Sequence, residues 1–388
     1  MTKIFNSKYH FTTFYKFLEV SKWSYLKVHE RFFQTLIQLF RPGIKGLIID
    51  DFINYRSRKK TTVKGKLQYD HSHKVNRSPY VWGQNILIVA AETSIMGLDL
   101  TLPVMLKLVG KGQNKIDVAV DLLKLTQRFF ELNNIETGDK IATFDAFFAK
   151  KKLILSKCGF TKIFQTRHDT ALFELPGPCR DKHKKGPKRK YGKKISVKLK
   201  RKLKGTFKIN IYGKEHVIHY KDYVCKARFL GGQVVRALYL TFDDFDRIHL
   251  VVSTDIRLTA LEILSKYSMR FKVEHIINQL KNSFFLKEIW MQNPKTYCRM
   301  MYFKLWSFVI TQLSAVSMRP VIVNYVKEQM PWRIKPNGII PLTAGIAQNL
   351  LKALFGLMSY QSFLSKVLVI TSGPLNNKFL RHSINFRC

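Results

Sequence analysis

Apolar positions recur at two different spacings along this chain, and the change of spacing divides it. Within residues 1–43, Phe14, Phe17 and Leu18, then Phe32, Phe33, Leu36 and Ile37, lie at the intervals of an amphipathic helix. Arg41-Pro42-Gly43 ends that pattern, because proline cannot continue a helix and glycine favours a turn. From Ile44 the apolar residues come in short runs rich in β-branched side chains, and GLIID, TTVKGKLQY and NILIVAAE predict successive strands. Helical spacing returns over 115–132, KIATFD predicts a strand ending in an acid, 148–157 reads as helix and 161–165 as strand. Strands and helices in alternation predict an α/β core.

Between 176 and 204 the composition shifts to Lys, Arg, Gly and Pro, which marks a loop or linker. Beyond it FKINIY, HVIHY, VVRALYLTF and RIHLVVS alternate like strands, so a β-rich module is inserted here. The remainder is helical in pattern over 258–283, 298–326 and 343–358. The expected division is a helical segment 1–43, a first part of the core 44–175, a basic loop and β-rich insertion 176–250, completion of the core 251–295 and a helical region 296–388. The two longest apolar stretches, 86–109 and 303–326, are interrupted by Glu92 and Asp99 and by Lys304, Gln312 and Arg319. Both predict buried core and not membrane spans.

At 388 residues and 46% hydrophobic, the chain is long enough for two or three domains with full cores. Charge narrows the partners. With 67 Lys+Arg against 26 Asp+Glu the formal net charge is +41, which favours a polyanion, nucleic acid first. A membrane surface would want an amphipathic or lipidated anchor, and neither terminus has that pattern, so no membrane partner is expected. The N-terminal MTKIFNSKYHFTTFYKF lacks the apolar core of a signal peptide, and the five cysteines form no close pair; reduced thiols in a cytoplasm are expected.

Acids are scarce, so those closing apolar strands stand out: Asp50 and Asp51 after LII, and Asp145 after IATF. Taken singly, such an acid is more often a turn former or helix cap. In YSMRFKVEHIINQLK, a uniform helix puts Tyr267, Arg270, Glu274 and Lys281 on one face about 60° wide. Met269, Val273, Ile276, Ile277 and Leu280 fall on a neighbouring apolar face. One helix would then pack on the core and present an acid flanked by two cations and a phenol; the plainer reading is a surface Arg270–Glu274 pair.

The spacing Tyr-x2-Arg-x3-Glu-x6-Lys resembles the segment around the catalytic glutamate of a large group of insertion-sequence DDE transposases. LIIDDF with the basic turn after it, YDHSHK and VWGQN resemble the first catalytic block of those enzymes. DAFFAKKKLILSKCGFTKIFQTRHDTALF resembles the second, and GPKRKYGKK and VVSTDIRLTALEIL the approach to the third. The likeness covers about residues 44–290.

It implies a ribonuclease-H-like mixed-sheet α/β core with an inserted β-rich module, Asp145 as second catalytic aspartate and Glu274 as the glutamate. For the first aspartate it leaves Asp50 and Asp51, which point to opposite faces of a strand. Asp50 is favoured because the family motif runs Asp-x-Thr/Ser, although Phe52 stands at the third position. Asp50, Asp145 and Glu274 would hold two Mg²⁺ or Mn²⁺ ions, hard cations that suit in-line phosphoryl displacement. Water would attack the phosphodiester at the element's end, and the freed 3′-hydroxyl would attack the opposite strand or the target.

Arg270 and Lys281 would contact phosphate and Tyr267 would donate its hydroxyl to a terminal phosphate; Arg167, Lys188, Arg189 and Lys190 would contact DNA backbone. Relatives that form a hairpin stack a flipped base on a tryptophan of the insertion. This insertion has none, leaving Tyr212, Tyr220, Tyr223 or Trp82 as substitutes. His71 and His73 are left out of the metal set. The implied partners are double-stranded DNA, as terminal inverted repeats and target, and a second copy on the DNA; the implied location is the bacterial nucleoid. The competing readings are a catalytically decayed DNA-binding relic, a nuclease of the same fold, and a structural RNA-binding protein.

Overall fold

A computed structural model describes residues 11–57, 63–70, 78–177, 189–196, 203, 205–211, 214–242 and 245–357. In chain order the helices are α1 (Phe11–Val20), α2 (Tyr25–Phe40), α3 (Lys115–Glu131), α4 (Lys151–Ile154), α5 (Ala260–Ser268), α6 (Lys272–Asn282), α7 (Pro294–Ser317), α8 (Arg319–Gln329) and α9 (Ala344–Leu357). The strands are β1 (Gly43–Tyr55), β2 (Lys66–Tyr69), β3 (Tyr80–Ile95), β4 (Leu98–Leu108), β5 (Ile141–Phe144), β6 (Thr161–Thr166), β7 (Leu172–Phe173), β8 (Gly205–Ile211), β9 (Lys214–Ala227), β10 (Gln233–Phe242) and β11 (Phe245–Ser253). Their contacts divide into two units, 30–277 and 1–29 with 278–388.

The first unit is a mixed α/β structure built on one sheet, in the order β2-β3-β1-β5-β6-β11-β10-β9-β7, with β4 also on β3 and β8 on β9. β1 pairs antiparallel with β3 and parallel with β5, and β5 pairs parallel with β6. β6, β11, β10 and β9 are antiparallel in turn. The strands of 176–250 are therefore hydrogen-bonded into the same sheet as the core.

Alternation gives β1 two buried faces. Leu47 and Ile49 join Phe144, Phe164 and the apolar side of α3. On the other face Ile141, Ile163, Leu238 and Val251 pack under Ile263, Leu264 and Tyr267 of α5. The continuous apolar run 86–109 is a hairpin of β3 and β4, buried as its composition predicts. Its two-residue turn, Met96 at φ 50° and Gly97 at φ 74°, is left-handed at both positions, the geometry that continues the twist of the two strands.

Three helices differ from expectation. The stretch 148–157 holds only the single turn α4, closed where Ser156 Oγ donates to the Leu153 carbonyl at 2.6 Å. The stretch 258–283 is not one helix: α5 starts at a Thr259/Glu262 capping box, and a 3-10 turn at Met269–Phe271 separates it from α6. A 3-10 turn winds three residues per turn, so faces projected on a uniform wheel shift in phase across it. The stretch 298–326 breaks at Met318 into α7 and α8, bent by 91°, with Pro320 in the first turn of α8, where its missing N–H costs least.

In the second unit α1, the start of α2, α7, α8 and α9 pack together. Arg299, fully buried on α7, donates to the carbonyls of Leu18 (2.6 Å), Ser21 (2.7 Å) and Trp23, and its guanidinium lies 4.3 Å from the Trp23 ring. No single helix among the described residues is long and apolar enough to cross a membrane; α7 and α8 reach that length only as the bent pair.

Candidate active site

The parallel register of β1 on β5 sets Ile49 beside Phe144, so the next residues, Asp50 and Asp145, lie side by side at the end of β5. Opposite faces then separate the adjacent acids. Asp51 points with Ile49 toward α3: Lys115 Nζ meets its Oδ2 at 2.8 Å, and Asn85 Nδ2 donates to the same oxygen. Asp50 points toward the segment joining α5 and α6, where Arg270 Nη1 approaches its Oδ2 at 3.3 Å. That ion pair links residues 220 apart in sequence. Both side chains are mostly buried, 14% and 12% exposed, so neither ion is screened like a surface pair.

The electrostatics follow from that burial. Loss of solvent pushes the Asp50 carboxyl up to about 7; Arg270 opposes the shift, while the negative charges of Asp145 and Asp51 add to it. Asp145 is raised as well, by burial first, although its Oδ1 accepts the backbone N–H groups of Phe147 (3.1 Å) and Phe148 (3.3 Å). Arg270 holds its proton more tightly than usual: burial works against the charge, but Tyr267, Asp50, Asp145 and Glu274 outweigh it. Its Nε is buried without a hydrogen-bond partner among the described residues.

Tyr267 is 8% exposed and donates its hydroxyl to Gln165 Oε1 at 2.9 Å; burial pushes the phenol up to about 12. Gln165 in turn contacts His249 Nδ1 at 3.0 Å, and burial, with the Arg247 charge behind it, shifts the pKa of that imidazole below its ordinary value. Glu274 is exposed on α6, one helical turn from Arg270 and within its electrostatic reach. Lys281 is half-buried near the other end of α6.

Of the sequence-predicted residues, Asp50, Asp145, Tyr267 and Arg270 meet at one place, with Glu274 beside Arg270; Asp51 is turned to the α3 side. Arg167 lies on the exposed turn after β6, in an ion pair with Asp169 at 2.8 Å. Arg189 and Lys190 are exposed, and the Lys190 carbonyl accepts Lys226 Nζ at 3.1 Å. Lys188, His71, His73 and Tyr212 lie outside the described residues. Tyr220 and Tyr223 are half-buried on β9.

The sequence reading passed over three residues. Gln165 and His249 orient Tyr267. Glu92 is buried on the Asp50 face of the sheet and paired with Lys272 Nζ at 3.3 Å, tying the start of α6 to β3. An acid inside an apolar strand needs a buried partner, and that was the available signal for Glu92.

No group of three or more His, Cys, Asp or Glu among the described residues is disposed to hold a metal ion. The donor chemistry of the acid pair nevertheless suits a hard cation: burial raises both carboxyls despite the nearby Arg270 charge, and Asp145 Oδ2 carries no hydrogen bond among the described residues. No protein-family model matches the chain, and no curated protein matches it in sequence.

Proposed function

We propose that this protein is a DNA transposase of the insertion-sequence DDE type, acting through Asp50, Asp145 and Glu274. One observation carries the reading. Residues selected from three separate sequence blocks, Asp50, Asp145 and the Tyr267–Arg270 pair, come together at the end of β5, although chain folding alone had no reason to gather them. The order β4-β3-β1-β5-β6, with β7 to β11 falling in sequence between Asp145 and Glu274, supports a ribonuclease-H-like core with a β-rich insertion. The charge of +41 suits a DNA partner.

Asp50, Asp145 and Glu274 would hold Mg²⁺ or Mn²⁺, two ions in the expected mechanism, supplying Lewis acidity at the attacking and leaving oxygens. The chain's own residues do the rest. Arg270, released from Asp50, turns its guanidinium to a phosphate oxygen and offsets charge that grows in the transition state. Tyr267, held by Gln165, offers a hydroxyl whose proton is retained at neutral pH. In the first step a water oxygen bonds to phosphorus and the bond to the 3′-oxygen breaks, leaving a 3′-hydroxyl. In the second that hydroxyl attacks a phosphodiester of the opposite strand or target, displacing its 3′-oxygen. Two ends must be handled together, so a homodimer on DNA at the bacterial nucleoid belongs to the same reading, as do backbone contacts from Arg167, Lys188, Arg189, Lys190 and Lys281.

The test is nicking of a labelled DNA carrying the element's own ends in Mg²⁺ or Mn²⁺. Wild type should cleave, while Asp145→Ala and Glu274→Ala should bind without cleaving. Among the described residues Asp50 and Asp145 lie together while Glu274 is exposed on α6, and the second reading is a DNA-binding relic without turnover. Well-folded wild type that binds these ends and never nicks them would establish it.

A further inference from the structure

β5 and β6 run parallel, so the segments leading into them meet at the end of the sheet opposite to the acid pair. β11, antiparallel to β6, ends there, and β10 begins there. Residues of the segments 154–162, 233–234 and 254–257, with Gly138, line an open cleft of about 740 Å³ between them. The length of β5, ~13 Å at ~3.3 Å per residue, separates it from Asp145.

Several needs are left unmet in its lining. Lys162 is only 6% exposed, yet no carboxylate among the described residues pairs with it. Its ammonium donates to the carbonyls of Ser156 at 3.2 Å and Cys158 at 3.3 Å, which leaves one of three N–H groups uncommitted. Buried cations normally have an acid for company. The acid of the cleft, Asp255, is already taken: Arg257 grips both of its oxygens, Nε at 3.0 Å and Nη2 at 2.8 Å, and holds its carboxyl below the ordinary range. Lys157, exposed in the same lining, therefore adds a second uncompensated charge. Gln233 Oε1 is buried with no donor among the described residues. Leu155 and Ile256 stand 40% and 42% exposed in the same walls.

Together these needs specify a ligand. Two ammonium groups match the charge of roughly −2 that a phosphate monoester carries at neutral pH, where a carboxylate brings only one. Leu155 and Ile256 favour an apolar body behind that phosphate, and Gln233 favours an N–H or O–H donor on it. A sugar phosphate lacks the apolar face and a fatty acid lacks the further donor, whereas a nucleoside has both. The volume suits a small molecule of that size. Backbone phosphates of a DNA duplex do not reach an ammonium recessed this far.

We propose that this cleft binds a small nucleoside monophosphate, its phosphate between Lys162 and Lys157 and its nucleoside against Leu155, Ile256 and Gln233. The cleft lies apart from Asp50 and Asp145, so its ligand is independent of the DNA reading.

Full-length protein would be titrated with adenosine monophosphate by isothermal calorimetry at physiological ionic strength, where diffuse attraction to the net charge of +41 is screened. Wild type should bind one molecule per chain, and adenosine and inorganic phosphate should each bind at least about 10-fold more weakly. Lys162→Met should weaken the nucleotide by about 10- to 100-fold. Lys157→Gln, which removes an exposed charge, should weaken it about 3-fold. Gln233→Leu should weaken the nucleotide about 5-fold and leave inorganic phosphate unchanged. Should Lys162→Met fail to fold, the other two variants carry the same test. Lys124→Gln, an exposed lysine on α3, is the control and should change nothing. No saturable binding by well-folded wild type, equal binding of adenosine and its monophosphate, or an equal loss in Lys124→Gln would overturn the proposal. A 5′-phosphorylated DNA strand that displaces the nucleotide, where the same strand without its phosphate does not, would assign the cleft to DNA ends and overturn it as well.

Discussion

Replacing Asp50 by asparagine should stabilise the fold above neutral pH while ending cleavage. In the folded protein this carboxyl is raised from 3.8 to about 7, first by burial and then by its acidic neighbours against the pull of Arg270. The sign follows from which state binds the proton. Between about pH 4 and pH 7 the unfolded chain has lost its proton while the folded site still holds it, so stability falls as pH rises through that window. Above about 7 the full cost is present, roughly 4 kcal/mol at about 1.4 kcal/mol for each pH unit. Asparagine keeps the shape and removes the charge, but it leaves Arg270 with a weaker partner, so the net gain at pH 8 should be about 1–3 kcal/mol. For a unit of this size that corresponds to a rise of roughly 2–10 °C in Tm. Thermal unfolding by circular dichroism at pH 5 and pH 8 measures it. At pH 5 the folded carboxyl is protonated but the unfolded one is already ionised, so only about a third of the cost is present and the advantage of asparagine should be smaller by roughly 3 kcal/mol than at pH 8. A variant less stable than wild type at pH 8, or one with the same gain at both pH values, would refute the argument.

Other expectations follow from the same geometry. Asp51→Ala breaks the contacts with Lys115 and Asn85 but leaves the Asp50 face intact, so nicking should fall by no more than about 10-fold, against more than about 100-fold for Asp50→Ala; equal losses would restore Asp51 as the first ligand. Gln165→Ala frees the Tyr267 hydroxyl and should slow single-turnover cleavage about 10-fold with DNA affinity unchanged, an effect that Gln165→Glu, which keeps an acceptor, should partly reverse. Arg299→Met removes the guanidinium donor shared by the Leu18, Ser21 and Trp23 carbonyls and should destabilise the protein by about 2–5 kcal/mol in urea titration. A change below about 1 kcal/mol there would mean that water replaces the guanidinium.

The sheet was legible where a short apolar run is bounded by polar residues, and illegible where two apolar strands follow each other with almost nothing polar between them. β5 and β6 are short apolar runs bounded by polar residues, and both were found at nearly their true limits. β3 and β4 merge into one apolar stretch because each is covered on both sides, and the Met96-Gly97 turn between them is too short to mark a boundary. The break at Met269–Phe271 escaped notice for a related reason: a wheel of constant pitch cannot register a local change of pitch.

The candidate site divides along the same line between local and long-range information. Alternation places Asp50 and Asp51 on opposite faces, but which face holds the second acid depends on the parallel register with β5, some ninety residues away. Gln165 and His249 matter only because α5 brings Tyr267 over them. The physical case for function rests on what this arrangement costs. A chain with 67 cations and 26 acids has buried two of those acids side by side, both held above their ordinary range, with Arg270 in contact with Asp50. An apolar pair of similar volume in place of such a buried ion pair is often neutral or better for stability. Keeping the acids therefore gains nothing for the fold that simpler residues would not supply. It does supply a pair of hard oxygen donors whose electrostatic strain a bound divalent cation would relieve, which is the property that phosphoryl transfer requires.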